Sequence, residues 1–169
     1  MREITSLFGG APYVFPWSGE NSPRARHQAA ADLAELLSEH PHIHLVGFSH
    51  GGNIASEAAV LLPASSIVHT LVTIATPVSG CYPFGGAKLH VNLYSNRDLL
   101  QRAGGESLHL PRFGAFGWAK RRYPEQSGVR NVRIDGLSSR GISGSHGDIL
   151  WWDETWARLR GIIHPQSIP

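Results

Sequence analysis

The chain has 169 residues, 41% hydrophobic and 17% charged, with a net charge of +2 and a single cysteine, Cys81. A chain of that size and balance folds as one domain with a buried core, which excludes a disordered polypeptide; the lone cysteine excludes an internal disulfide, and the small net charge gives no footing for nucleic acid. No apolar run reaches the roughly 18 residues of a membrane span, and "MREITSLFGG" holds no long apolar stretch of the secretory type, so a cytoplasmic location is the expectation.

In chain order, "YVFPW" (13–17) reads as a short strand and "SGEN" as a turn. Ser22 then offers an N-cap and Pro23 suits the first helical position. The helix that follows is expected to bury Ala29, Leu33, Leu36 and Leu37, and Pro41 stops it. "HIHLVGF" (42–48) is a second strand. Residues 51–62 read as a helix apolar nearly all round, hence deeply buried, and Pro63 ends it. "SIVHTLVTIA" (66–75) lacks polar alternation, as a strand covered on both faces does. Strands at 88–95 and 129–135 and a helix over about 147–160, with Ile149, Trp152, Trp156 and Leu159 on one side, complete the pattern. Strands separated by helices imply an α/β fold: a mostly parallel sheet of about five strands with helices on both faces, one domain over 1–169. Residues 101–127 are basic and glycine-rich, the pattern of a long surface excursion.

The informative junction is Gly47-Phe48-Ser49-His50-Gly51, between the strand 42–48 and the helix that follows. Small residues at Gly47 and Gly51 permit a tight turn that lifts the Ser49 hydroxyl above a helix N-terminus, where free N–H groups favour negative charge. A serine hydroxyl needs a base to become a nucleophile, and the base needs a carboxylate to hold its tautomer. Both belong in loops after later strands, acid first. Asp98 in "YSNRDLL" and His146 in "GISGSHGD" meet that requirement. Asp135, at the end of the last strand, is the second candidate acid. Asp148 and Asp153 fall in the last helix, and Ser143 lies between glycines without a strand-to-helix elbow. His40, His42 and His44 alternate, but further ligands are wanting, so no metal is expected.

"GFSHGG", "SNRDLL" and "SHGDILW" together resemble the motifs of α/β-hydrolases, in order and context, and specifically those of serine esterases and lipases. "FPWSGENSPRARHQAAADLAELL" is similar to the strand and helix before the elbow in bacterial lipase-like members, and the resemblance runs from about residue 12 to 160. It implies hydrolysis of an ester, a small-molecule or lipid-like substrate, through an acyl-serine intermediate with no cofactor. A fold kept for binding alone is the alternative. Phe48, Phe113, Phe116 and Trp118 are candidates to border an acyl group or to be ordinary core, and 101–127 to be a lid or a solvated loop.

The resemblance also implies two oxyanion donors. The His50 backbone N–H is one. The other comes, in the family, from a His-Gly-type loop after a strand that precedes the segment matching 12–40, and the residues before Tyr13 contain neither. Three expectations compete: a shortened, weakly active hydrolase, one in which another segment, either Trp17-Ser18-Gly19 or Gly9-Gly10, supplies the donor, or a fold kept for binding. If strand 13–17 pairs with strand 42–48, the Ser18 or Gly19 N–H comes beside the elbow. A partner chain along the exposed sheet edge, giving an oligomer, is the other way to cover the gap.

Overall fold

The computed structural model describes residues 2–78, 83–98, 100–101, 119–134, 141–151 and 153–165, and of 141–145 only the backbone. Cys81, Phe113, Phe116, Trp118, Trp152 and Asp135, the Ser143 side chain, and residues 102–118 of the excursion lie outside what it describes.

Four strands form one parallel sheet in the order β1-β2-β3-β4: β1 (His42–Phe48), β2 (Ile67–Ile74), β3 (Ala87–Tyr94) and β4 (Val129–Arg133). β2 is buried along nearly its whole length, which explains its unbroken β-branched composition. On one face lie α2 (Pro23–Leu37) and α3 (His50–Leu61), whose Ala30, Leu33, Ile54 and Ala58 pack together while Ala55 and Ala59 meet Ile43, Leu45 and Leu71 of the sheet. The alanines keep these helices close to each other and to the strands. On the other face, Leu7 of α1 (Arg2–Phe8), Ile149 of α4 (Gly141–Trp151) and Leu159 of α5 (Asp153–Ile163) close over Val72, Ile74, Val91 and Leu93. The start of α2 is as its sequence requires: Ser22 is extended (φ −137°, ψ 137°) and its hydroxyl accepts the Ala25 N–H. Among the described residues no helix is long and apolar enough to cross a membrane.

Three expectations need correction. Residues 13–17 form no strand. Pro12 and Pro16 remove backbone donors at both ends of the run, and Tyr13 and Val14 face outward at 72% and 68% exposure. Consequently, among the described residues, four strands make the sheet and β1 is its edge, so the missing pairing lies at the rim rather than in a central gap. The single helix expected over 147–160 is two, α4 and α5, and it begins earlier, so His146 sits on a helix and not in a loop. The later part of the excursion is anchored rather than a free loop: Ala119 and Tyr123 are buried and Lys120 exchanges two backbone hydrogen bonds with Val78, while Lys120, Arg122 and 124–127 remain exposed.

The sheet interior carries one ionisable group with a consequence for stability. His90 on β3 is 2% exposed; its Nε2 lies 3.0 Å from Thr73 Oγ1 and its ring packs edge-on against Tyr123. Burial lowers its pKa from 6.5 to about 4. Above pH 6.5 the ring is neutral folded or unfolded and contributes no pH dependence. As the pH falls from 6.5 toward 4, the unfolded chain takes up a proton that the folded chain refuses. The folded state should lose about 3 kcal/mol over that window through this residue. Urea unfolding of the wild type and of His90→Gln at pH 7 and pH 4.5 checks it: the wild type should lose more stability than the variant, by about that amount, and equal losses would show that His90 is not the cause.

Candidate active site

Ser49 follows β1 and holds the N-cap position of α3, with φ 51° and ψ −130°, a region a residue with a Cβ seldom occupies. Its N–H donates to Ile74 O on β2 (2.9 Å) and its carbonyl accepts from Gly52 (3.0 Å), so both ends of the turn are held. A Cβ on Gly47 would stand 2.5 Å from Gly51 O and 2.6 Å from Gly52 Cα, which is why only glycine fits there. The crowding expected at Gly51 falls on the next residue: a Cβ on Gly51 meets nothing, whereas one on Gly52 would collide with the Thr76 hydroxyl. The strain of the elbow is thus accommodated by glycines at two points, one before the serine and one in the first turn of the helix.

The Ser49 hydroxyl lies 3.0 Å from His146 Nε2. His146 Nδ1 lies 2.6 Å from Asp98 Oδ2, to which its N–H donates. The rings of Phe48 and His146 are 5.0 Å apart between centroids, so the phenylalanine next to Ser49 packs against the imidazole. Asp98 is fully buried, in the loop following β3. Its second carboxylate oxygen, Oδ1, accepts the Gln101 N–H at 2.8 Å, and the Gln101 side-chain amide donates to Thr76 O at 2.7 Å. Three side chains from three separate parts of the chain therefore converge in one hydrogen-bonded line. A hydroxyl bonded to an imidazole, whose other nitrogen donates to a buried carboxylate, can pass its proton to the ring as the oxygen attacks an electrophilic carbon.

His50 opens α3, so its backbone N–H belongs to the helix end where the peptide dipoles favour negative charge. Its ring Nδ1 lies 3.4 Å from Asn53 Nδ2. Ser18 and Gly19 lie in an exposed turn, where the Ser18 hydroxyl accepts the Glu20 N–H and Gly19 has φ 71°. Because 13–17 does not pair with β1, the pairing expected to bring their amides to the elbow is not formed. Gly9 and Gly10, at φ 72° and 68°, follow α1. A groove of about 590 Å³ runs along the open edge of β1, from His42 and His44 to Gly47, Phe48 and Gly51 at the elbow. Its walls are chiefly apolar, with Phe8, Phe15, Trp17, Leu33 and Ile54 among them.

Among the described residues no group of three or more His, Cys, Asp or Glu is placed to hold a metal ion. His42 is instead hydrogen-bonded to His69 (2.9 Å), and His44 stacks on Phe8. Burial, followed by the nearby His69 and His164, lowers the His44 pKa. Asp148 and Asp153 lie on α4 and α5.

Sequence reasoning passed over Gly52, Gln101 and Arg121. Gln101 was hidden in a stretch read as surface loop; the signal available was its place three residues after the acid, the span of a tight turn. Arg121 donates from Nη2 to the Asp98 carbonyl at 2.8 Å, a contact no local pattern announces. A search of curated proteins returned no match. A family model described as "Alpha/beta hydrolase family" matches residues 6–164.

Proposed function

The chain belongs to the α/β-hydrolase family, and from that premise we propose that it is a serine hydrolase that cleaves carboxylic esters through an acyl-serine intermediate. The observation that carries this reading is the unbroken line from Ser49 Oγ to His146 Nε2 and from His146 Nδ1 to Asp98 Oδ2.

In this mechanism the Ser49 oxygen attacks the ester carbonyl while its proton passes to His146 Nε2. Asp98 holds the ring in the tautomer that leaves Nε2 free to accept, and its charge stabilises the imidazolium. The carbonyl oxygen becomes an oxyanion and meets the His50 N–H at the head of α3. The tetrahedral intermediate collapses, the C–O bond to the alcohol breaks, and His146 returns the proton to that alcohol. Water then attacks the acyl-serine as it gives a proton to His146; the C–O bond to Ser49 breaks, and His146 returns that proton to the Ser49 oxygen as the carboxylic acid leaves. The apolar groove beside the elbow supports an apolar acyl group, and its volume is that of a small-molecule site.

One observation favours a slower protein that mainly binds its ligand. The strand pairing expected to deliver a Ser18 or Gly19 amide is not present, and one lost oxyanion donor costs roughly 10²–10³ in turnover. A fluorophosphonate probe separates the readings, because it reacts only with an activated serine. The hydrolase reading expects covalent labelling that peptide mapping assigns to Ser49. A folded protein that stays unlabelled at Ser49 is instead a binding module.

A further inference from the structure

We infer that Arg121 is a positioning residue for Asp98, held in place by a rung of polar side chains that crosses the sheet. The inference rests on the serine-hydrolase reading above for its kinetic consequence, though not for its geometry.

The argument starts in the sheet. Thr73, Asn92 and Asn131 are direct neighbours across β2, β3 and β4. Polar side chains in a buried parallel sheet are costly unless they are bonded. These are bonded to one another: Thr73 Oγ1 donates to Asn92 Oδ1 (3.1 Å), and Asn92 Nδ2 donates to Asn131 Oδ1 (2.9 Å). Their remaining capacity goes to the segment 121–123. Asn92 Nδ2 also donates to Arg121 O at 2.8 Å. Asn131 takes the Tyr123 N–H on Oδ1 (3.0 Å) and gives Nδ2–H to the Tyr123 carbonyl (2.9 Å), as a neighbouring strand would.

The segment is fixed from other sides as well. Lys120 and Val78 exchange backbone hydrogen bonds at 2.9 Å each, which ties it to the loop after β2. The Tyr123 hydroxyl lies 3.3 Å from Ser56 Oγ on α3, the helix that Ser49 caps. A segment anchored to β3, β4, the post-β2 loop and α3 makes a firm base for a long side chain. Arg121 uses it to donate from Nη2 to the Asp98 carbonyl. Asp98 is otherwise tethered by its N–H to Ser95 O at 3.3 Å, by Oδ1 to Gln101, and by Oδ2 to His146. Of these bonds, the one from Arg121 is the one that joins the Asp98 peptide to the rung in the sheet. Without it, the peptide is free to tip and carry the carboxylate away from His146 Nδ1. A displacement of about 1 Å at a reacting group costs on the order of 10²-fold in rate.

Arg121→Met keeps the aliphatic stem and removes the donors; Arg121→Lys restores a single donor. The direct readout is the low-field proton resonance of His146 Nδ1–H, which needs the bond to Asp98 and needs no turnover, with Asp98→Asn as the blank. Arg121→Met should lose or shift that resonance while its melting temperature shows a folded protein, and Arg121→Lys should recover part of it. In ester hydrolysis, Arg121→Met should lower kcat by on the order of 10²-fold with KM little changed. Placed on Asp98→Asn, the same change should cost less than about twofold, because a residue that acts through Asp98 has nothing left to position. An unchanged resonance in folded Arg121→Met, or a full loss of rate repeated on Asp98→Asn, overturns the proposal. If Arg121→Met does not fold, Arg121→Lys carries the test, with a smaller shift of the same resonance expected and an unchanged one overturning it. A wild type that shows the resonance but neither turns over nor labels at Ser49 defeats the hydrolase reading alone, and the resonance still decides the role of Arg121.

Discussion

Ser49→Ala should abolish hydrolysis of a p-nitrophenyl ester, with a loss on the order of 10⁶ in kcat. The size of the effect follows from the oxygen's position. In the proposed mechanism it is the atom that bonds to the substrate; it lies 3.0 Å from His146 Nε2 and stands at the head of α3. Alanine keeps the Cβ and imposes the same positive φ on the elbow, so the substitution adds no backbone strain. It also leaves the Ser49 N–H to Ile74 O and the contacts of Gly47 and Gly52 in place. The variant should therefore melt close to the wild type while losing the rate. A folded Ser49→Ala that hydrolyses the ester at near wild-type rate would place the chemistry elsewhere and end the proposed mechanism.

Asp98→Asn should lower turnover by up to roughly 10⁴. The asparagine matches the aspartate in shape, and its carbonyl oxygen still has the Gln101 N–H to accept. The change lies in what faces His146. A carboxylate oxygen accepts the Nδ1 proton and leaves Nε2 open; an amide nitrogen donates to Nδ1 and forces the proton onto Nε2. The imidazole then meets the Ser49 hydroxyl with a hydrogen where it needs a lone pair. Asp135→Asn, altering the other aspartate read at the end of a strand, should be much milder. Steady-state kinetics of the two variants decide the assignment, and a reversal of their order would make Asp135 the acid.

The sheet was legible because parallel strands and their crossing helices leave strong local marks. The run at 42–48 has the bounds read from its apolar residues, and those at 66–75 and 88–95 lie within a residue of β2 and β3. Ser22 and Pro23 marked the start of α2 for reasons that operate within one turn. The elbow was legible for the same reason, since its glycines answer a local steric demand. Residues 13–17 misled because side-chain preference is the weaker signal there: Tyr13, Val14 and Phe15 favour a strand, but the prolines beside them withhold the hydrogen bonds a strand requires. The helical setting of His146 was missed because "GISGSHG" is rich in glycine and serine, and the helix is sustained by burying Ile149 rather than by propensity. The docking of 119–123 depends on Asn131, across the turn into β4, and on Asn92, which is 29 residues from Arg121 in sequence. A sharper reading would have asked what Asn92, in a buried strand, and Asn131, in the strand beside it, were bonded to.

The strands lie side by side in the order in which the chain supplies them, so each can pair with one that precedes it. The line through Ser49 has a different character, because it joins residues 97 and 48 positions apart. Its last member is carried by α4, whose Ile149 also helps to roof the core formed with Leu159 of α5. Roofing the core and bringing a base to the hydroxyl are therefore a single event. In the proposed mechanism Ser49 is an ordinary alcohol until the final helices dock, so an unfinished or locally opened molecule would carry no indiscriminate acyl-transfer chemistry. On that reading, reactivity at that one oxygen is in turn a gauge of whether the whole chain has reached its native state, and damage to α4 or α5 far from the substrate should register first as silence at Ser49.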